Sequence, residues 1–266
     1  MCILFFAIEQ HPKFPVIICA NRDEFHSRPT QAMHYWPQEN ILAGKDLQAG
    51  GTWLGLTPNG RFSALTNFRQ LPLKTSSVKS RGDLVIKALL HSSEEIAEQL
   101  PEMADDYQGF NLIYGQLNNL HCFDSINQTF HPISKGIHSI CNGALDDIWP
   151  KMILGQQQLA DEIITKSHGH LTGILQKNSN GNSNTPTTKT EQLDINKLFS
   201  LMSNNQQAIE EHLPKTGIPQ DWEQLLSSIF ITSPDYGTRT TTIITLDLQG
   251  KITVHNRNYD QKGNTI

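Results

Sequence analysis

The chain opens on an unbroken apolar run, Cys2–Ile8, with no polar residue interleaved. A run this short reads as a strand covered on both faces. A second apolar run, Val16–Ala20, follows across His11-Pro12-Lys13-Phe14-Pro15. With the prolines confined to the connection, the two runs predict a hairpin. Cys2–Ile8 is expected to be a central strand, paired with Val16–Ala20 and with a strand of the terminal hairpin. A polar stretch from Asn21 to Gln38 comes next. Three short β-like runs then follow, Ile41–Gly44, Thr52–Thr57 and Phe62–Thr66, the last two joined by a turn at Pro58-Asn59-Gly60.

Helical spacing begins after Ser80, where Leu84, Ala88 and Leu89 share a face. A second helical segment, Ser93–Met103, opens with a serine cap followed by acids. Asn111–Gln116 and Leu120–Phe123 form a hairpin across Leu117-Asn118-Asn119. Trp149–Ile164 reads as a helix that tolerates Pro150 in its first turn. Asp194–Asn204 and Trp222–Ile229 also read as helices, and Thr240–Leu248 with Lys251–Asn256 as a hairpin around Gln249-Gly250. Gln176–Thr190 is rich in Asn, Ser and Thr, offers little to bury, and is expected to be an exposed loop. There is no internal repeat and no interdomain linker, so residues 1–266 are expected to form one domain. Hairpins alternating with helices predict an α+β fold, with helices outside paired antiparallel sheets.

Composition narrows the function classes. In 266 residues, 37% are hydrophobic and 18% charged, the balance of a globular chain with a sizeable core. A net charge of −5 argues against a general nucleic-acid binder, which needs a basic face. The four cysteines, Cys2, Cys19, Cys122 and Cys141, form no CxxC pair and no zinc-spaced cluster. Few scattered cysteines fit a reduced, cytoplasmic protein. The opening apolar run lacks a basic leader and a small-residue cleavage site, and is too short to span a bilayer, so neither a signal peptide nor a transmembrane segment is expected.

Met1-Cys2 is the first chemical signal. Methionine is normally removed before a small side chain, which would leave Cys2 with a thiol and a free α-amine. An α-amine has a reference pKa of about 7.7–8.0, so near pH 7 part of it is a usable base for its own thiol. The plain alternative is a cysteine that happens to follow the initiator.

The wider pattern favours the first reading by resemblance. Asn21-Arg22-Asp23-Glu24, followed by Arg28-Pro29, is the signature of the NRDE (transport-and-Golgi-organisation) family. Ala43-Gly44-Lys45-Asp46, Ala49–Gly55, Leu65–Arg69, Ser80-Arg81-Gly82, Gly109–Leu112, Asn142–Lys151 and Tyr236–Arg239 are similar to the family pattern, in order from residue 2 to about residue 260. The resemblance implies an Ntn-hydrolase-like αββα four-layer sandwich with antiparallel sheets. The layout also resembles the cysteine Ntn hydrolases that cleave bile-salt and penicillin amides. By order and context it points to Cys2, Arg22, Asp23, Asn67, Asn142 and Arg239 as catalytic residues. Arg22 would favour thiolate and Asp23 would hold the α-amine. Asn67 and Asn142 would donate to an oxyanion, and Arg239 would orient the others or bind a substrate carboxylate.

Three departures stand out. Arg22 and Asp23 are adjacent here, and adjacent side chains of an extended segment face opposite ways. At most one of them is therefore expected to face a shared pocket, with Asn21 or Glu24 filling in. The residues before Asn142 are Ile140-Cys141, and Asn256-Arg257 replaces a late Glu-Arg. For Asn21–Glu24 a charged loop is the plain alternative, and for Asn67, Asn142 and Arg239 turn-forming and structural hydrogen bonds.

Two functions follow from the resemblance. The first is hydrolysis of the C–N bond of a small acyl-amide through Cys2, with no cofactor required. The second is binding and trafficking of haem or an acyl chain or other lipid, with haem as a ligand and no turnover. His168-Gly169-His170 is the only close histidine pair and reads as a solvated loop, and no haem-attachment motif occurs.

Overall fold

The computed structural model describes residues 2–69, 71–73, 79–168 and 193–266. Gln176–Thr190, expected as an exposed loop, lies outside them. Strand β1 (Cys2–Ile8) is buried along its whole length, because its two faces enter two cores. Cys2, Leu4, Phe6 and Ile8 join the apolar layer between two sheets. Ile3, Phe5 and Ala7 join a layer under helices. This is why the run shows no alternation.

The first sheet has the order β10-β1-β2-β11-β12, made of β1, β2 (Val16–Phe25), β10 (Gly136–Ile140), β11 (Tyr236–Leu246) and β12 (Ile252–Asn258). The second sheet runs in chain order through β3 (Thr30–Trp36), β4 (Ile41–Asp46), β5 (Leu54–Leu56), β6 (Arg61–Asn67), β7 (Phe110–Gln116), β8 (Asn119–Asp124) and β9 (Thr129–Pro132). Every pairing is antiparallel. Helices α1 (Gly82–Leu90) and α2 (Ser93–Met103) cover the second sheet with Leu84, Val85, Ala88, Leu89, Ile96 and Leu100. Helices α3 (Pro150–His168) and α4 (Ile195–Met202) cover the first with Met152, Leu159, Leu198 and Phe199. The result is an α+β sandwich in αββα order, two antiparallel sheets face to face with helices outside both.

Local signals set several boundaries. Ser92 accepts from the Glu95 N–H, and Glu95 accepts from the Ser92 N–H, closing a capping box at the start of α2. Asp194 caps α4 by accepting from the Asn196 N–H.

Three expectations are corrected. The terminal hairpin does not pair with β1. Its first strand, β11, runs along the free side of the ten-residue β2 from Val16 to Phe25, while β10 takes the other side of β1. The polar stretch Asn21–Gln38 is largely strand: β2 continues through Phe25, and Thr30–Trp36 forms an edge of the second sheet. Its residues are mostly half-exposed or exposed, so an apolar signature is not required of them. The helix expected over Trp222–Ile229 is shorter and earlier, α5 (Gln220–Leu225).

One titratable pair ties β10 to the following loop. His138 Nδ1 lies 2.6 Å from Asp146 Oδ2, and its Nε2 lies 3.0 Å from the Ser134 carbonyl. Two acceptors, one at each ring nitrogen, favour imidazolium. The bond with Asp146 raises the His138 pKa, against burial, which lowers it. A raised folded-state pKa stabilises fully below the unfolded value, and that stability is lost as pH rises through the folded value. Denaturation at pH 5.5 and pH 8.5 is therefore expected to show a stability gap between wild type and His138→Asn that is wider at the acidic pH. A gap independent of pH would refute the assignment.

Candidate active site

Antiparallel pairing places Cys2 opposite Arg22. Facing cross-strand residues share a side of the sheet with Cβ atoms about 4.5–5.5 Å apart, so the guanidinium rises beside the thiol. Cys2 is only 8% exposed and lines a cleft of about 340 Å³. The Arg22 guanidinium carbon lies 4.2 Å from the centre of the Trp53 ring. The same group donates to Thr30 Oγ1 at 3.0 Å and faces Glu24 at 3.9 Å. Trp53 in turn lies on Gly44, where any Cβ would overlap the indole. Gly44 thus seats the ring on which the guanidinium rests.

The far wall depends on a second close approach. A Cβ on Gly51 would stand 2.7 Å from the backbone of Gly82, so only glycine lets α1 start against this loop. That contact brings Ser80, Arg81 and Gly82 to the cleft, together with Lys79.

Burial pushes the Cys2 thiol up. Asp23 and Glu24 push it the same way and Arg22 opposes them. The Asp23 carboxyl is also raised, by burial, while Lys151 and a 2.6 Å hydrogen bond from Thr238 Oγ1 pull it back. Burial lowers the arginine pKa values of Arg22 and Arg81. A preformed thiolate is therefore scarce at neutral pH, and attack by Cys2 needs a base at the moment of reaction.

The six residues singled out by resemblance divide into two groups. Cys2, Arg22, Asp23 and Asn67 all line the cleft. Asn67 ends β6, and its side-chain amide has no hydrogen-bond partner among the described residues. Asn142 and Arg239 are not in the lining. Asn142 is fully buried and donates its side-chain N–H to the Asn67 carbonyl at 2.8 Å. Arg239 donates to the carbonyls of Phe25 and His26 at 3.1 and 3.3 Å.

Arg22 and Asp23 both reach the cleft, with Glu24, contrary to the alternation of a regular strand. The register shifts between Thr238 and Thr240 of β11, opposite these two residues. Such a bulge bends its own strand and raises the local twist, and the cleft lies at the strand end where both faces of β2 are within reach. Asn21 turns away, donating to the carbonyls of Met202 and Ile229.

Arg28, Asp46, Lys79 and Arg81 also line the cleft, although they were not expected as site residues. Their signal lay in short motifs around them, Arg28-Pro29, Lys45-Asp46 and Ser80-Arg81-Gly82. Arg28 pairs with Asp46 at 2.7 Å and Lys79 with Asp106 at 2.5 Å. Among the described residues no group of three or more His, Cys, Asp or Glu is placed to hold a metal, and no helix is long and apolar enough to cross a membrane.

A family model described as Transport and Golgi organisation 2 matches residues 1–261. The human Transport and Golgi organization protein 2 homolog is 29% identical over 285 residues, covering 98% of this chain and 94% of its own. The bovine homolog is 28% identical over 280 residues, covering 97% and 92%. The Drosophila melanogaster protein is 25% identical over 276 residues, covering 95% and 90%. Among solved structures, a cysteine-to-alanine mutant of conjugated bile acid hydrolase from Clostridium perfringens matches over 98% of both chains, with a TM-score of 0.39 and 8% identity.

Proposed function

We propose that this chain, which belongs to the Transport and Golgi organisation 2 family, cleaves the C–N bond of a small amide with Cys2 as nucleophile. The observation that carries the reading is the company Cys2 keeps. A buried thiol, a facing guanidinium and an unpartnered asparagine amide meet in one cleft. The missing part is a base. Removal of Met1 would supply it as the α-amine of Cys2 itself. Asp23 lies one residue beyond Arg22, toward the end of β1 from which the Cys2 nitrogen leaves, and its carboxylate would hold that amine.

The amine takes the thiol proton as sulfur bonds to the amide carbon. The Asn67 amide stabilises the resulting oxyanion. Collapse breaks the C–N bond, and the proton passes to the departing amine. Water then attacks the thioester, its proton going to the α-amine. As the C–S bond breaks, that proton returns to sulfur and the acid leaves.

The charged lining favours this reading over haem handling. Haem iron takes axial ligands such as histidine, methionine, cysteine or tyrosine. Of these the cleft offers only Cys2 among the described residues, a poor set for holding haem iron. An acyl or lipid carrier is the second reading, in keeping with relatives named for transport. Intact-mass measurement of purified protein is expected to show loss of Met1, and iodoacetamide to add once, at Cys2, before the buried Cys19, Cys122 and Cys141. Retained Met1 with an unreactive Cys2 would leave only the carrier.

A further inference from the structure

The charges of the cleft do not cancel one against one. Arg28 is taken by Asp46, and Lys79 by Asp106 outside the cleft. Arg22 has Glu24, Thr30 and the Trp53 ring. Arg81 is the exception. Its guanidinium donates to the Gly109 carbonyl at 3.0 Å, and among the described residues no carboxylate lies within ion-pair distance. It is half-buried, and burial lowers its pKa against the more distant attraction of Glu24. Desolvating a guanidinium without a counter-ion is costly, which makes its fork a waiting partner for an anion. Arg239, the residue expected to bind a carboxylate, has its guanidinium on the Phe25 and His26 carbonyls instead.

We infer that Arg81 is the anion-binding residue of the cleft and that the amide cleaved at Cys2 carries a carboxylate close to the scissile bond. The inference rests on the amide-hydrolase reading and adds the class of substrate. A monoanion fits better than a phosphate. Among the described residues one guanidinium has no direct ion pair, whereas Asp23, Glu24 and Asp46 line the same small cleft and would repel a dianion. The 340 Å³ available suits an N-acyl amino acid with a short acyl chain.

The test is calorimetry on the full-length Cys2→Ala protein, which cannot turn over a probe. The probes are N-butanoylglycine and its uncharged counterpart N-butanoylglycinamide. The acid is expected to bind at least about tenfold more tightly, the scale of one charge-assisted pair. Adding Arg81→Gln is expected to erase most of that preference, and Arg81→Lys to retain part of it. Equal affinities, undetectable binding of the acid, or a preference that survives Arg81→Gln would overturn the inference. So would inorganic phosphate competing better than acetate. A preference for the acid with no turnover by wild type removes hydrolysis and leaves the subsite. Turnover of neutral amides without a charge preference removes the subsite and leaves hydrolysis. The comparison of the two probes on the Cys2→Ala protein stands even if the Arg81 variants fold poorly.

Discussion

Cys2→Ala is expected to lower amide turnover by at least about four orders of magnitude, the scale seen when a covalent nucleophile is removed. The fold should survive. Cys2 sits at the end of the layer shared by Leu4, Ala20 and Leu54, and losing one sulfur from a strand end leaves little cavity. Asn67→Ala is expected to cost about two to three orders, as for a single oxyanion donor. Arg22→Gln acts differently. Arg22 opposes the upward push of burial, Asp23 and Glu24 on the thiol. Its loss should move the rise of kcat/KM with pH to more alkaline values. Steady-state rates on a panel of short N-acyl amides, with melting curves for each variant, check all three. A Cys2→Ala protein within tenfold of wild type would sink the mechanism. An Arg22→Gln protein with an unmoved profile would sink only the role of Arg22.

Sequence reasoning worked where burial left a one-dimensional trace. β1 was legible because both faces are covered and every position had to be apolar. β3 and β9 were not, since their residues are largely exposed and alternation has nothing to enforce it. For the site, four of the six residues found by resemblance meet in the cleft. Arg22 and Asp23 meet the cleft at a strand end, opposite a register shift in β11 more than 200 residues away in the chain. A bulge leaves no pattern in its partner strand. Arg81 was visible only as the middle of a short motif. Its importance comes from the lack of a direct ion pair among the described residues, and that is a property of the folded cleft. Arg239 shows the reverse case, a residue in the right order whose guanidinium is held by backbone carbonyls.

Asn142 points to the largest expected effect on stability. Behind the cleft, Arg69 donates to Glu223 Oε2 at 2.6 Å, with the side chains only 8% and 5% exposed. Glu223 Oε1 accepts from the backbone N–H and the hydroxyl of Thr216. The Arg69 guanidinium lies 5.0 Å from the centre of the Trp149 ring and reaches Asn142 Oδ1 at 3.4 Å, and the Arg69 N–H donates to the Asn142 carbonyl. One ion pair thus fixes α5, the Asn142 loop and, through the Asn142 amide, the backbone of Asn67. Removing either partner leaves a buried charge, so Arg69→Ala and Glu223→Ala are each expected to cost about 3–5 kcal/mol. Replacing both with apolar residues, Arg69→Met with Glu223→Leu, should cost less than either single change. Urea unfolding of the four proteins measures this, and single variants that each lose under about 1 kcal/mol would show the pair to be incidental. Turnover separates the two roles. If the network only holds the fold, the double variant regains activity along with stability. If it also positions Asn67, the double variant is expected to fold and still turn over slowly, with kcat reduced more than KM is changed.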